Sequence, residues 1–143
     1  MPSDDKSNRN LLLVEDDEDD AFLFAHTLEK SGLMCSLSHV TDGRLAAEFL
    51  QKAAESGNEG LPQTIFLDLK MPVFNGFEFL DWMKKQSFSP SVRVIVLSGS
   101  EHETDKQRAA QLGASAYLVK PVKVSDLQRL LHDICSAGNG VPA

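Results

Sequence analysis

Short apolar runs, most of them continuous rather than alternating, constrain the fold of this 143-residue chain more than any other feature. Residues 11–14, 64–67, 92–97 and 116–119 are of strand length, with a weaker alternating stretch at 35–40. A strand with one face in water alternates polar and apolar residues, whereas a continuous run is apolar on both faces and reads as parallel sheet covered by helices on each side. Helical periodicity fills the gaps. Ala21, Phe24, Ala25 and Leu28 share one face, as do Phe77, Leu80 and Met83, and Val124, Leu127, Leu130, Leu131 and Ile134. Leu45, Phe49 and the alanines around them supply another helix, and Ala109, Ala110 and Leu112 a short one that stops at Gly113. Strand and helix therefore alternate five times along the sequence. That order predicts a doubly wound α/β fold: a five-stranded parallel sheet with right-handed crossovers and helices on both faces.

The length suits one domain with a single sizeable core. We place its limits at residues 9–135, with 1–8 and 136–143 as flexible ends. Residues 55–63, carrying Ser56, Gly57, Asn58, Gly60 and Pro62, read as a surface loop before the third strand. A net charge of −7 and a pI near 5.0 argue against a nucleic-acid backbone or an anionic membrane as the main partner. Residues 1–10 lack the apolar core of a secretory signal, and no run approaches the roughly 18 apolar residues of a membrane span. Cys35 and Cys135 form no metal or disulfide pattern and fit reduced thiols in a cytoplasmic protein.

In open α/β sheets ligands bind beyond the carboxyl ends of the strands, so the residues found there carry the functional argument. Strand one runs into Glu15-Asp16-Asp17-Glu18-Asp19-Asp20, strand three into Asp68, strand four into Ser98-Gly99-Ser100, and strand five into Lys120-Pro121. Acids near a helix start favour the macrodipole and cap free N–H groups, which accounts for Asp19 and Asp20. Glu15 and Asp16 precede the helix and should meet Asp68 at the mouth of the sheet. Converging carboxylates repel one another unless a proton or a cation intervenes. Hard oxygen donors that leave positions for water and phosphate oxygens suit Mg²⁺. With a hydroxyl and a lysine at neighbouring strand ends, the set reads as a phosphate site with its counter-ion.

These residues closely resemble the response regulator receiver domain of two-component signalling. The markers come in order: Leu13-Val14-Glu15-Asp16, then Leu67-Asp68-Leu69-Lys70-Met71-Pro72 followed by Gly76, then Ser98-Gly99, then Lys120-Pro121. The run from Val14 to Asp17, with a long loop before strand three, is also similar to single-domain regulators that partner bacterial phytochrome-type kinases. The resemblance implies a flavodoxin-like sheet of receiver type, with Asp68 as phosphoacceptor. Asp16 would ligate Mg²⁺ directly, Glu15 mainly through water, and the Lys70 backbone carbonyl would add a ligand. Ser98 would hold a phosphoryl oxygen, Lys120 would pair with the phosphate, and Tyr117 would be the aromatic switch. Lys70 and Ser100 would flank the acyl phosphate and influence its lifetime. Glu15 departs from the Asp of many relatives.

The resemblance further implies a sensor histidine kinase or phosphotransfer protein as donor and a downstream protein as target, and leaves a homodimer open. Such a domain is not a turnover enzyme, since it catalyses only its own phosphorylation and slow dephosphorylation. With no output domain expected after Ala143, the face of helix four, strand five and helix five is expected to meet the partner. Three rivals share parts of the pattern. An Asp-nucleophile phosphatase of the haloacid dehalogenase type needs a second Asp at the position held by Lys70. A flavodoxin-like FMN binder needs hydroxyls and N–H groups after strand one, where six acids stand. A phosphorylation-independent interaction module would keep the fold alone.

Overall fold

The computed structural model describes residues 10–57, 60–71 and 74–139. Five strands and five α-helices alternate: β1 Asn10–Val14, α1 Glu18–Lys30, β2 Ser36–Val40, α2 Gly43–Glu55, β3 Thr64–Asp68, α3 Gly76–Lys84, β4 Arg93–Ser98, α4 Glu103–Gln111, β5 Ala116–Val119 and α5 Val124–Asn139. One parallel sheet contains the five strands in the order β2-β1-β3-β4-β5. The expected doubly wound fold is therefore present, and Pro72 and Asn58 lie outside the described residues.

Continuous apolar runs become the inner strands. In β1 and β4 every residue after the first is buried, and β3 is buried throughout. Alternate side chains serve opposite layers. Leu11, Leu13, Phe66, Ile95 and Leu97 pack with Phe24 and Leu28 of α1 and Leu127 and Leu131 of α5. Leu12, Val14, Ile65, Leu67, Val94 and Val96 pack with Ala46 and Leu50 of α2, Phe79, Leu80 and Met83 of α3, and Ala109 of α4. At ~1.5–3 kcal/mol for each large apolar side chain taken from water, these two layers dominate the favourable side of folding. β5 departs from the expected burial. It forms a sheet edge, and its four residues are only half-buried.

Several helix faces are rotated from the sequence reading. Ala25 is exposed because the buried stripe of α1 is Ala21, Phe24 and Leu28. Leu45 is exposed and Phe49 half-buried, since Ala46 and Leu50 form the contact stripe of α2. In α3 the fully buried ring is Phe79, while Phe77 is half-buried beneath the Arg108 guanidinium, 4.1 Å away. α5 continues through Ser136 to Asn139, past the expected domain limit, because no proline interrupts its hydrogen bonds before Pro142. Its side chains beyond His132, including Ile134 and Cys135, and residues 1–9 and 140–143 lie outside the described residues.

From β1 the chain moves outward to β2 and then returns to β3 on the other side of β1. The crevice at the carboxyl ends of β1 and β3 is thus the topological switch point, where this fold class binds ligands.

Candidate functional site

Glu15 is held at the end of β1 by its N–H, which donates to the Val40 carbonyl of β2 at 3.0 Å. Helix α1 starts only at Glu18, after Asp17 has turned its side chain to accept from the Asp20 N–H. Glu15 and Asp16 are therefore left at the sheet mouth, as the sequence predicts. Parallel register sets Val14 beside Leu67, so Asp68 emerges next to them. Glu15 and Asp68 are only 1% and 5% exposed, whereas Asp16 is exposed. One carboxylate oxygen from each of the three lies within 4.8 Å of the others.

Lys120 follows the end of β5. Its N–H donates to the Ser98 carbonyl at 2.7 Å, and the Lys120–Pro121 bond is cis. The ammonium lies 2.7 Å from Glu15 Oε1, 2.9 Å from Asp20 Oδ2 and 3.5 Å from Asp68 Oδ2. Burial pushes the Glu15 carboxyl up, the Lys120 contact pulls it back and the Asp68 carboxylate pushes it up again, leaving it at about 7. Burial works against the Lys120 ammonium, but Glu15 and Asp20 outweigh it and hold the amine above the ordinary lysine range. Glu15, Asp20 and Asp68 thus gather near one ammonium, with Asp16 beside Glu15 and Asp68. The uncompensated charge and the hard oxygen donors fit a divalent cation.

The Asp68 carboxylate is oriented by the backbone, since the Lys70 N–H donates to Asp68 Oδ1 at 3.1 Å while the Lys70 side chain is exposed. Ser98 is fully buried, and its hydroxyl accepts from the Ser100 N–H at 3.0 Å. The Ser100 hydroxyl accepts from the His102 N–H and donates to Asp105 Oδ2 at 2.8 Å, which ties the β4–α4 connection to the first turn of α4. The Tyr117 hydroxyl donates to the Ser100 carbonyl at 3.0 Å, and Lys106 Nζ sits 5.9 Å from the ring centre. A backbone chain therefore joins Tyr117 through Ser100 to Ser98.

Glu15, Asp16, Asp68 and Lys120 meet as the strand ends predict, and Ser98 lies on the neighbouring strand. Asp20 is the correction. Read from sequence as a helix-start acid, it instead pairs with Lys120, a hundred positions away in the chain. Local sequence carries no signal for this contact, which arises because α1 and the β5–α5 connection cover the same sheet face. Gly76 has a steric reason for its place: a Cβ there would stand 2.6 Å from Leu69 Cα and 2.9 Å from the Asp68 carbonyl.

A family model described as the response regulator receiver domain matches residues 11–132. Response regulator Rcp1 of Synechocystis is 33% identical over 91% of this chain and 90% of its own length. Its structure in a Mn(2+)-bound form aligns with a TM-score of 0.71 at 32% identity, covering 94% of this chain and 99% of that one. The bacteriophytochrome response regulator RtBRR aligns with a TM-score of 0.76 at 35% identity, over 88% of this chain and 77% of that one. The phosphorylated cyanobacterial phytochrome response regulator RcpA gives 0.72 at 30% identity, over 90% and 91%.

Proposed function

This chain belongs to the response regulator receiver domain family, and on that premise we propose that Asp68 accepts a phosphoryl group from the phosphohistidine of a sensor histidine kinase or phosphotransfer protein. The observation that carries the reading is the Asp68 carboxylate itself: buried, oriented at Oδ1 by the Lys70 N–H, and 3.5 Å from an ammonium at Oδ2. In the transfer an Asp68 oxygen forms a bond to phosphorus as the phosphorus–nitrogen bond breaks, and the departing imidazole regains its neutral form by taking a proton. Phosphoryl transfer through a loose transition state depends on positioning and charge neutralisation more than on nucleophile strength. Lys120 contributes positive charge beside the acceptor. Glu15, Asp16, Asp68 and the Lys70 carbonyl would hold Mg²⁺, which supplies further neutralisation of the phosphoryl oxygens when bound. The Mn(2+)-bound form of Rcp1 supports a divalent cation at such a site.

Ser98 then gives its hydroxyl to a phosphoryl oxygen, and Tyr117 relays the change to the α4–β5–α5 face, where a downstream protein reads it. Lys70, with an exposed side chain where a phosphatase would need an acid, favours storage of the group over turnover. The likeness to RtBRR and RcpA, a bacteriophytochrome and a cyanobacterial phytochrome response regulator, supports a phytochrome-type kinase as the donor, and we place the exchange in the cytoplasm, where ATP charges such kinases.

Incubation with Mg²⁺ and acetyl phosphate should add the mass of one phosphoryl group to the wild-type protein, and Asp68→Asn should remain unmodified. Equal modification of both would remove Asp68 from the account. Calorimetry should find Mg²⁺ binding weakened in Asp16→Ala; unchanged affinity would reduce Asp16 to a residue of the helix start.

A further inference from the structure

Lys120 Nζ lies closer to Glu15 and Asp20, at 2.7 and 2.9 Å, than to Asp68 at 3.5 Å. Glu15 is buried on the strand end and belongs to the floor of the site. Asp20 differs in every respect. Its side chain is 40% exposed, it stands on the first turn of α1, and it lines a groove of about 340 Å³ with Leu23, Thr27, Lys120, Pro121 and Val122. Helix capping does not explain its direction, since the Asp17 N–H that an acid at this position could accept from donates to Glu15 Oε2 at 3.2 Å, while the Asp20 carboxylate goes to the lysine.

A phosphoryl group on Asp68 brings nearly two negative charges and draws the ammonium to itself. Every contact that holds Lys120 toward α1 opposes that movement, and a partly exposed carboxylate beside the lysine also repels an incoming anion. We infer that Asp20 is a positioning residue: it holds Lys120 on the α1 side of the acceptor, competes with the phosphoryl group for it, and so limits both capture of anionic phosphodonors and retention of the phosphoryl group. The inference rests on the phosphoacceptor reading of Asp68. A partly exposed ion pair of this kind shifts an equilibrium by up to about fivefold.

Beryllofluoride, which adds to a carboxylate as a phosphoryl mimic, provides the test, with its affinity read by fluorine NMR at saturating Mg²⁺. Asp20→Asn, which removes the charge at nearly constant volume, should bind the mimic about fivefold more tightly, while Asp20→Glu, which keeps the charge, should bind as wild type does. Equal or weaker binding by Asp20→Asn would overturn the inference and return Asp20 to the helix start. Tighter binding by both variants would also overturn it, because charge would not be the cause. If wild-type protein and both variants fail to bind the mimic, the phosphoacceptor reading fails, and the role of Asp20 with it.

Discussion

Burial and function pull Glu15 in opposite directions. On the proposed reading its carboxylate serves as an anion beside a cation, yet burial and Asp68 hold its pKa at about 7, well above the ordinary 4.5. Between those values the folded chain binds more protons than the unfolded one, so the Glu15 contribution to stability falls as pH rises from about 4.5 to about 7. A divalent cation must displace that proton. Mg²⁺ affinity should therefore climb as pH rises toward about 7 and level off above it, and Glu15→Gln should flatten the climb; a profile unchanged by the substitution would refute the assignment. Lys120 has the same sign in a higher window: its pKa is raised too, so its contribution is fully present at neutral pH and lost as pH rises beyond the ordinary lysine range. Thr64 is 1% exposed, and its hydroxyl has no partner among the described residues. Thr64→Val should raise unfolding stability by about 1 kcal/mol, as measured by denaturant titration. Asp68, its acidic neighbours and the lysine were legible in sequence because each ends an apolar run. Asp20 was not, because nothing local distinguishes a capping acid from one that spans the fold.

At the scale of elements, strands were easier to read than helix faces. A continuous apolar run is a strand wherever the sheet lies, and each expected run lies within one residue of the strand observed. A helix stripe is set by what packs against it. Ala25 and Leu45 fit the period but face solvent, whereas Phe79 is fully buried. The β3–α3 connection offers a sharp test of how an element positions the site. Gly76 donates its N–H to the Leu69 carbonyl at 3.0 Å and leaves no room for a Cβ, whereas a Cβ at Gly99 meets nothing within 4 Å. Gly76→Ala should cost about 1–3 kcal/mol through overpacking, and also slow phosphorylation by displacing Asp68. Gly99→Ala should leave stability near wild type; equal thermal midpoints for the two variants would contradict the steric account.

The whole molecule combines a rigid centre with a less buried margin. β1, β3 and β4 carry the acceptor end on buried strands, while β5 at the sheet edge is half-buried and bears Tyr117, linked through Ser100 toward Ser98. A charge added at Asp68 should therefore register along α4, β5 and α5 before the inner strands respond. Amide exchange with and without beryllofluoride should show its largest changes on that face; changes confined to α2 and β2 would contradict the relay. No helix among the described residues is long and apolar enough to cross a membrane. The central claim, that Asp68 stores the phosphoryl group, is tested most directly by borohydride trapping after phosphorylation, which reduces an acyl phosphate to an alcohol at the modified residue. Peptide sequencing by mass spectrometry should find homoserine at position 68 in the phosphorylated sample alone. Homoserine at another aspartate, with Asp68 intact, would contradict the account.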